Sequence, residues 1–592
     1  MITGEQAAPL DTGRPPVTVT QLLVDRGLLS PDLARMAEEL ARRQGGHLID
    51  TILKQHMVQE DDLARLLAEV NEWELITPGA LIESPVLHAP LDQLGRTLAY
   101  QTPFVLIGSP AAPTLVLANP YRTDVLDEVG RRLRGVTLRK AVAPRRAILG
   151  SLIQAFPTTP QHLARAIEDL ERGGLGQNAV GRYMGELIGR AVTLGASDIH
   201  VEPGELTTIR FRVAGLLYPE DRTLPAAYHD SLANVIHVLA GLPSGGRYAV
   251  KEGRLAWELP SGDPVELRIT MTPTLVSHES VKPQVVMRVL HRHQSALPLG
   301  QLGYPEDQRR LIEGLAGSPH GLVLFAGQVN TGKTTTLYAI LSGLQSPHRK
   351  IVTVEDPVEC LLGPLVQQHQ VNDEAGFTYA AAIRAFLRVD PDAMLVGEIR
   401  DPETAIQIVQ ASLQGRLTFS TLHAESAVHA IPRLLALGVE PLYLASALKG
   451  VIAQRLLRTL CPRCRLEGEF SDLHRDHPLW VHRYSGHFQP AEPVCVPAPG
   501  GCQGCGGTGY RGLTVVAEVL VIDREIQEDL ERRRGTLAVL AHAQRGGFRT
   551  MREGALDLVR RGVTDFGEAE RVLHPLIDDG RPVSSGPEWG PA

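Results

Sequence analysis

Between Gln21 and Glu74 apolar residues recur at helical spacing, as in Leu33, Met36 and Leu40 and again in Leu63, Leu66 and Leu67. Two phrases in this stretch, V-D-R-G-L-L-S-P-D-L and L-K-Q-H-M-V-Q-E-D-D-L, read as copies of one helix–turn–helix unit. From about Pro85 to Phe156 short apolar strands (Phe104 to Ile107, Thr114 to Ala118) alternate with helical stretches, which predicts a small α/β unit. Pro157 to Pro160 and Gly173 to Gly176 are turn-rich and punctuate the way to the next domain. Gln177 to His293 mixes a helix with several strands that read as antiparallel ribbons. Further on, Gly321 to Phe325, Ile351 to Val354 and Ala393 to Val396 are continuous apolar runs of the kind buried strands show. The pattern predicts an α/β protein in successive parts. These are residues 1–157, with helical repeats at 18–82 and a small α/β unit at 85–156, a linker at 158–176, a middle α/β domain at 177–293 and a large domain at 294–578. Met1 to about Val17 reads as loose, and 579–592, rich in Pro, Gly and Ser, as a disordered tail.

At 592 residues the chain is too long for one hydrophobic core, so three or four domains are expected. A formal net charge of −8 gives no sign of a nucleic-acid protein. Only seven of the 59 basic residues are lysine, which makes each lysine a specific choice of a compact ammonium charge. No apolar run approaches the length of a membrane span, and Met1 begins no signal-peptide pattern. A cytosolic protein is expected, with any membrane work done through partners. Six cysteines in that setting argue against a disulfide framework.

Residues Gly327, Gln328, Val329, Asn330, Thr331, Gly332, Lys333 and Thr334 spell a phosphate-cradling loop between an apolar strand and a helix that opens with Thr335. Backbone N–H groups of such a loop point at phosphate oxygens, Lys333 neutralises the terminal phosphates, and the Thr334 hydroxyl can ligate Mg²⁺. The expected ligand is a nucleoside triphosphate, ATP. Downstream, the strand at Ile351–Val354 delivers Glu355, Asp356 and Glu359, and the strand at Ala393–Val396 delivers Gly397, Glu398 and Asp401. Carboxylates at strand ends beside a phosphate loop can hold Mg²⁺ and position an attacking water. Thr418 to His423 then reads as a polar cluster after another apolar strand, with His423 placed to sense the terminal phosphate.

Cys461 and Cys464, with Cys502 and Cys505, form two C-x-x-C knuckles, the ligand count of a closed structural Zn²⁺ site. The 37 residues between the pairs also carry His474, His477, His482, His487 and Cys495 as competing ligands. Cys360 reads as a buried small residue.

The ordered set G-A-S-D-I-H-V-E-P (195–203), T-G-K-T-T-T-L-Y (331–338), T-V-E-D-P-V-E (353–359), D-P-D-A-M-L-V-G-E-I-R-D (390–401), S-T-L-H (420–423) and A-Q-R-L (453–456) resembles the secretion ATPase superfamily. More specifically it resembles the type II secretion and type IV pilus assembly motors (GspE/PilB type). The cysteine pairs and T-G-Y-R-G (508–512) follow in that family's order. The resemblance implies a RecA-like P-loop NTPase domain preceded by a PAS-like α/β domain and an N-terminal helical plus small α/β adaptor domain. It implies a cytoplasmic homohexamer, peripheral at the inner face of the cell membrane through an inner-membrane platform protein and a membrane-anchored adaptor. Glu355 and Glu359 would fall in the aspartate box, Glu398 in the Walker B motif and His423 in the histidine box. Glu398 would polarise the attacking water, with Glu355 as runner-up. Arg254 and Arg268 match positions where the family presents arginines to the nucleotide.

Departures from the family pattern cluster in the middle domain. Its R-I-D-G phrase is Arg212-Val213-Ala214-Gly215 here, and Arg247 to Arg254 replaces R-L-P-Q-D-G-R. Arg416 stands where the family has its first box histidine. In some relatives the N-terminal repeats bind cyclic di-GMP through R-L-G phrases, which neither copy has here, so a docking role is the expectation. The leading function is ATP hydrolysis that drives pilus assembly or protein secretion. The alternatives are a nucleotide-gated scaffold with little turnover and a DNA-uptake or pilus-related motor of the same fold.

Overall fold

The computed structural model describes residues 18–573 except 45, 56, 95–97, 100–101, 134–135, 156–162, 169–176, 221–222, 244–245, 247, 260–263, 278–279, 291–296 and 476. The two expected loose ends, most of the linker and the boundary near 293 lie outside the described residues. The described chain forms two compact units, one drawn from Met1–Ser295 and Glu359–Pro364, the other from Ala296–Val358 and Leu365–Ala592.

In the first unit the repeated phrases become two helix pairs, Val19–Asp25 with Pro31–Gln44 and Leu48–Lys54 with Glu60–Asn71. Each long helix starts where sequence rules place it. Ser30 accepts the Leu33 N–H ahead of Pro31, and three acids fill the first turn of Glu60–Asn71. A short strand after the second pair, β1 (Glu74–Leu75), joins β2 (Phe104–Ser109), β3 (Ala112–Leu117) and β4 (Arg139–Val142) in a sheet of order β1-β4-β3-β2. One apolar core runs through both helix pairs and this sheet, from Leu23 and Ile52 to Phe104, Val116 and Ile148.

A second core lies under an antiparallel sheet built from β5 (Ala196–Glu202), β6 (Leu206–Val213), β7 (Leu216–Pro219), β8 (Leu224–Pro225), β9 (Lys251–Glu258), β10 (Pro264–Ser277) and β11 (Ser280–Leu290). The main path is β7-β6-β5-β11-β10-β9. Two helices, Gln177–Leu194 and Ala226–Leu239, contribute to its core where the sequence pattern indicated one. Alternation puts Ile199, Val201, Phe211, Ile269 and Met287 on the buried face and leaves Asp198, Arg212, Arg254, Arg268 and Arg288 on the other.

The β6–β7 hairpin turns through Ala214 and Gly215, both with positive φ (48° and 85°). That is the geometry of a two-residue turn favouring Asn-Gly, and an alanine there costs about 1 kcal/mol. Replacing Ala214 by asparagine is expected to stabilise the chain by about that amount, read as a higher unfolding midpoint in thermal melts.

The second unit is a seven-stranded sheet of β12 (Gly321–Ala326), β13 (Ile351–Glu355), β14 (Val366–Gln370), β15 (Ala393–Val396), β16 (Leu417–Leu422), β17 (Leu448–Leu460) and β20 (Tyr510–Val521). Its order is β14-β13-β15-β16-β12-β17-β20, parallel except for the antiparallel pair β17–β20. β12, β13, β15 and β16 are buried along their whole length, which is why 321–325, 351–354 and 393–396 read as apolar runs, while β16 carries three hydroxyl residues inside the sheet. The cysteine region, with its own small hairpin of β18 (Leu466–Glu469) and β19 (Pro493–Val496), is inserted between β17 and β20. No helix among the described residues is long and apolar enough to cross a membrane.

Candidate nucleotide and metal sites

β12 runs straight into the phosphate loop, and the helix Lys333–Leu344 leaves it. Gly327, Asn330 and Gly332 all hold positive φ, at 154°, 63° and 83°. At Gly327 a Cβ would stand 2.6 Å from Thr331 Oγ1 and 3.0 Å from Gln454 O, so only glycine fits. Lys333 Nζ donates to the carbonyls of Gly327 (2.8 Å) and Gln328 (2.7 Å), which holds its charge inside the loop. Gln328, Val329, Asn330 and Thr335 are exposed, while Thr331 is buried and donates to Gln328 O (3.0 Å). Thr334 is half-buried in the first turn of the helix, where N–H groups and the helix dipole favour anions. The donor set fits a polyphosphate.

Three of the candidate side chains gather at the ends of neighbouring strands. Glu398 follows β15 and His423 follows β16, and their pairing brings His423 Nε2 to 2.8 Å from Glu398 Oε1. The other ring nitrogen, Nδ1, lies 3.1 Å from Gly327 O in the phosphate loop. Both partners accept only, so the neutral ring can donate to one and the imidazolium to both. Arg400 Nε donates to the second Glu398 oxygen at 2.8 Å.

Glu355 ends β13 and is buried, taking hydrogen bonds from Tyr338 Oη, Thr353 Oγ1 (2.5 Å) and Gln368 Nε2 (3.2 Å). Burial pushes its carboxyl above the ordinary carboxylate range, and those three donors offset part of the rise. Glu359 is exposed in the segment Glu359–Pro364, which packs with the first unit rather than with the unit that holds Glu355.

Two expectations need correction. Leu417–Leu422 is itself a fully buried strand, so Thr418, Ser420 and Thr421 do not form a polar cluster after one. Ser420 and Thr421 are tolerated there because their hydroxyls donate to Val396 O (2.7 Å) and Gly397 O (2.8 Å) on the neighbouring segment. Cys360 is half-exposed, since it sits in a loop beyond β13 and not in a core.

Gly397 has a steric reason. A Cβ on it would meet Tyr379 Oη at 2.9 Å and Val354 O at 3.3 Å, so a larger side chain crowds this position. Arg416, in place of a histidine, pairs with Asp390 (3.1 Å) on the far side of the sheet end.

Arg254 and Arg268 lie in the first unit, directly opposite each other across β9 and β10. The pairing extends the row to Arg288 on β11, Asp198 on β5 and Arg212 on β6. Side chains directly opposite share one face, and like charges there repel. Arg268 is balanced by Glu252 (3.0 Å), Arg254 by Glu266 (3.7 Å) and Arg288 by Asp198 (2.9 Å).

The four cysteines come together because β17 pairs antiparallel with β20, Leu460 opposite Tyr510, which closes the insertion at its base. Cys461 Sγ is 3.8 Å from Cys502 Sγ, Cys464 Sγ is 3.8 Å from Cys505 Sγ, and all four sulfurs lie within 4.8 Å of one another. Thiolates about 2.3 Å from a tetrahedral zinc are themselves about 3.8 Å apart, so the set fits Zn²⁺. Burial raises the Cys505 thiol, but N–H groups of Cys502 and Gly509 and the neighbouring sulfurs outweigh it and bring it down to about 6. None of His474, His477, His482, His487 or Cys495 belongs to this cluster. His477 stacks on Trp480, and Cys495 packs against Gly562.

The family model for type II/IV secretion system proteins matches residues 175–571. The chain belongs to this family. Among its relatives, the type II secretion system protein E of Xanthomonas campestris is 32% identical over 575 residues, covering 94% of this chain and 98% of that protein. The type II secretion system ATPase E of Vibrio cholerae is 38% identical over 393 residues, 66% of this chain and 75% of that protein. The type IV pilus assembly ATPase PilB of Thermus thermophilus is 31% identical over 553 residues, and the match takes in 91% of this chain but only 60% of that protein's length. The solved Legionella pneumophila ATPase DotB overlays with a TM-score of 0.50 at 20% identity, over 66% of this chain and 94% of that one, which shows a shared fold.

One polar network of this type II/IV secretion family member escaped motif reading. Gln454, buried on β17, donates to Thr331 O (2.9 Å) and accepts from Tyr304 Oη (2.7 Å). Tyr304 Oη also meets Thr336 Oγ1 at 3.0 Å, so the chain of bonds braces the second half of the phosphate loop from below. A-Q-R-L stood out in the sequence, but nothing local placed it under a loop more than a hundred residues earlier.

Proposed function

We propose that this protein is an ATP hydrolase that works as a homohexamer and drives type IV pilus assembly or type II protein secretion through an inner-membrane platform protein. The reading rests above all on His423, which touches both the Glu398 carboxylate and the first glycine of the phosphate loop. Lys333 and the loop N–H groups hold the phosphates. Mg²⁺, when bound through Thr334, neutralises phosphate charge. A water oxygen bonds to the terminal phosphorus, the bond to the bridging oxygen breaks with its electron pair leaving on ADP, and Glu398 takes the water's proton. His423 is placed to register whether the terminal phosphate is present and to pass that state to Glu398. The cysteine set would be a structural Zn²⁺ site, and the protein would sit in the cytoplasm against partners at the inner membrane.

Arg254 and Arg268 are offered as the charge that meets the phosphates across a subunit boundary. Removing such an arginine costs other NTPases about 10³-fold in rate. Steady-state phosphate release by the size-fractionated oligomer should therefore fall by about 10³ on Arg268→Ala, with ring formation retained on gel filtration. Tight ATP binding without turnover in monomer and ring alike would make the protein a nucleotide-gated scaffold and retire the motor reading.

A further inference from the structure

Tyr379 opens the helix Tyr379–Phe386 and is buried to within 9%. Its ring packs in the core of the second unit, yet its hydroxyl has no hydrogen-bond partner among the described residues. That hydroxyl lies 2.9 Å from the point a Gly397 Cβ would occupy, and the same point is 3.3 Å from Val354 O and 3.4 Å from Glu355 Cα. Gly397 N donates to Val354 O at 2.8 Å, so β13 and the segment after β15 meet just here. The hydroxyl therefore stands on the seam between Glu355, which ends one strand, and Glu398, which follows the other. Burial first, and then the field of Asp356, Glu398 and Glu355, push its pKa up, while Arg400 opposes the rise, so the group remains an O–H donor.

The neighbouring carboxylates already bond other donors and keep lone pairs for a water. Glu355 takes Tyr338, Thr353 and Gln368, and Glu398 takes Arg400 and His423. The residue is buried but its hydroxyl is not sealed from solvent, so a water can reach it and accept its proton in a hydrogen bond. We propose that the Tyr379 hydroxyl is a further catalytic group that holds the attacking water, donating to the lone pair that does not face phosphorus while the water donates to Glu398. No proton leaves the phenol in this step. It fixes the water in line, and its contribution appears in the chemical step and not in nucleotide binding. The inference rests on the reading of this site as an ATP hydrolase.

Tyr379→Phe removes one oxygen and keeps the ring in its core. In the full chain as the isolated oligomer, kcat for ATP should fall about tenfold, the factor expected for one lost hydrogen bond. KM, the equilibrium affinity for ATP and the melting temperature should stay at the parent values. A variant kcat within twofold of the parent would overturn the proposal. So would a kcat loss matched by weaker ATP binding or a lower melting temperature, since that pattern assigns the hydroxyl a packing role. A parent protein that binds ATP but does not turn it over would end the hydrolase reading itself, and is told apart by the parent measurement alone.

Discussion

Glu398→Gln is expected to abolish turnover, lowering the steady-state rate of phosphate release by about 10² to 10⁴ while ATP still binds. The substitution keeps the side chain's size and one carbonyl acceptor, so it perturbs packing little. It removes the negative charge that faces Arg400 and His423 at 2.8 Å each and that would accept the water's proton. The phosphates are held elsewhere, by Lys333 and the loop, so equilibrium binding of ATP should change by less than threefold, or about 0.6 kcal/mol. Glu355 provides the internal control. It is more deeply buried and its oxygens are occupied by three donors, which suits a group that fixes the site's shape. Full turnover by Glu398→Gln together with its loss in Glu355→Gln would reverse the two roles.

Removing zinc should have the second large effect, and a local one. Structural zinc contributes on the order of 10 kcal/mol to the folding of small zinc-held units. Here the metal would tie Cys461, at the end of β17, to the turn of Cys502 and Cys505 that leads into β20. Elemental analysis should find one zinc per chain, and Cys505→Ala should lose it. After chelation, limited proteolysis should cut first in the glycine-rich turn at 497–509. The rest of the insertion has a second anchor, because Phe470, Tyr484 and Phe488 gather on Phe566, and Trp480, Arg483 and Tyr484 all bond Glu570. ATP binding should survive, since Lys333 opens a helix and Glu398 follows β15, and neither segment passes through the knuckle. Unchanged proteolysis on chelation, with no zinc found, would make the four thiols a metal-free packing feature.

The local parts of this protein were written in the chain. Lys333 and its loop lie in one continuous stretch, where glycine positions, an apolar lead-in and a helix start decide the conformation within a few residues. The buried strands were legible because a strand covered on both faces admits few polar residues, and the helix pairs because 3.6-residue periodicity repeats in both copies. Thr418 to Leu422 misled for the complementary reason. The Ser420 and Thr421 hydroxyls look polar in sequence and are satisfied by carbonyls of a neighbour that sequence does not place.

Everything that joins distant segments waited for the tertiary structure. Pairing of β15 with β16 sets His423 against Glu398, and β12 beside β16 sets it against Gly327. Register across β9, β10 and β11 aligns Arg254, Arg268 and Arg288, and a slip of one residue would have turned them to opposite faces. Pairing of β17 with β20 closes the cysteine square, and β17 beside β12 slides Gln454 under the phosphate loop. Sequence alone determined which chemistry each segment carries, because dihedral preference, capping and burial act over a few residues. Strand order and register, fixed by burying whole faces at once, decided which of those chemistries meet.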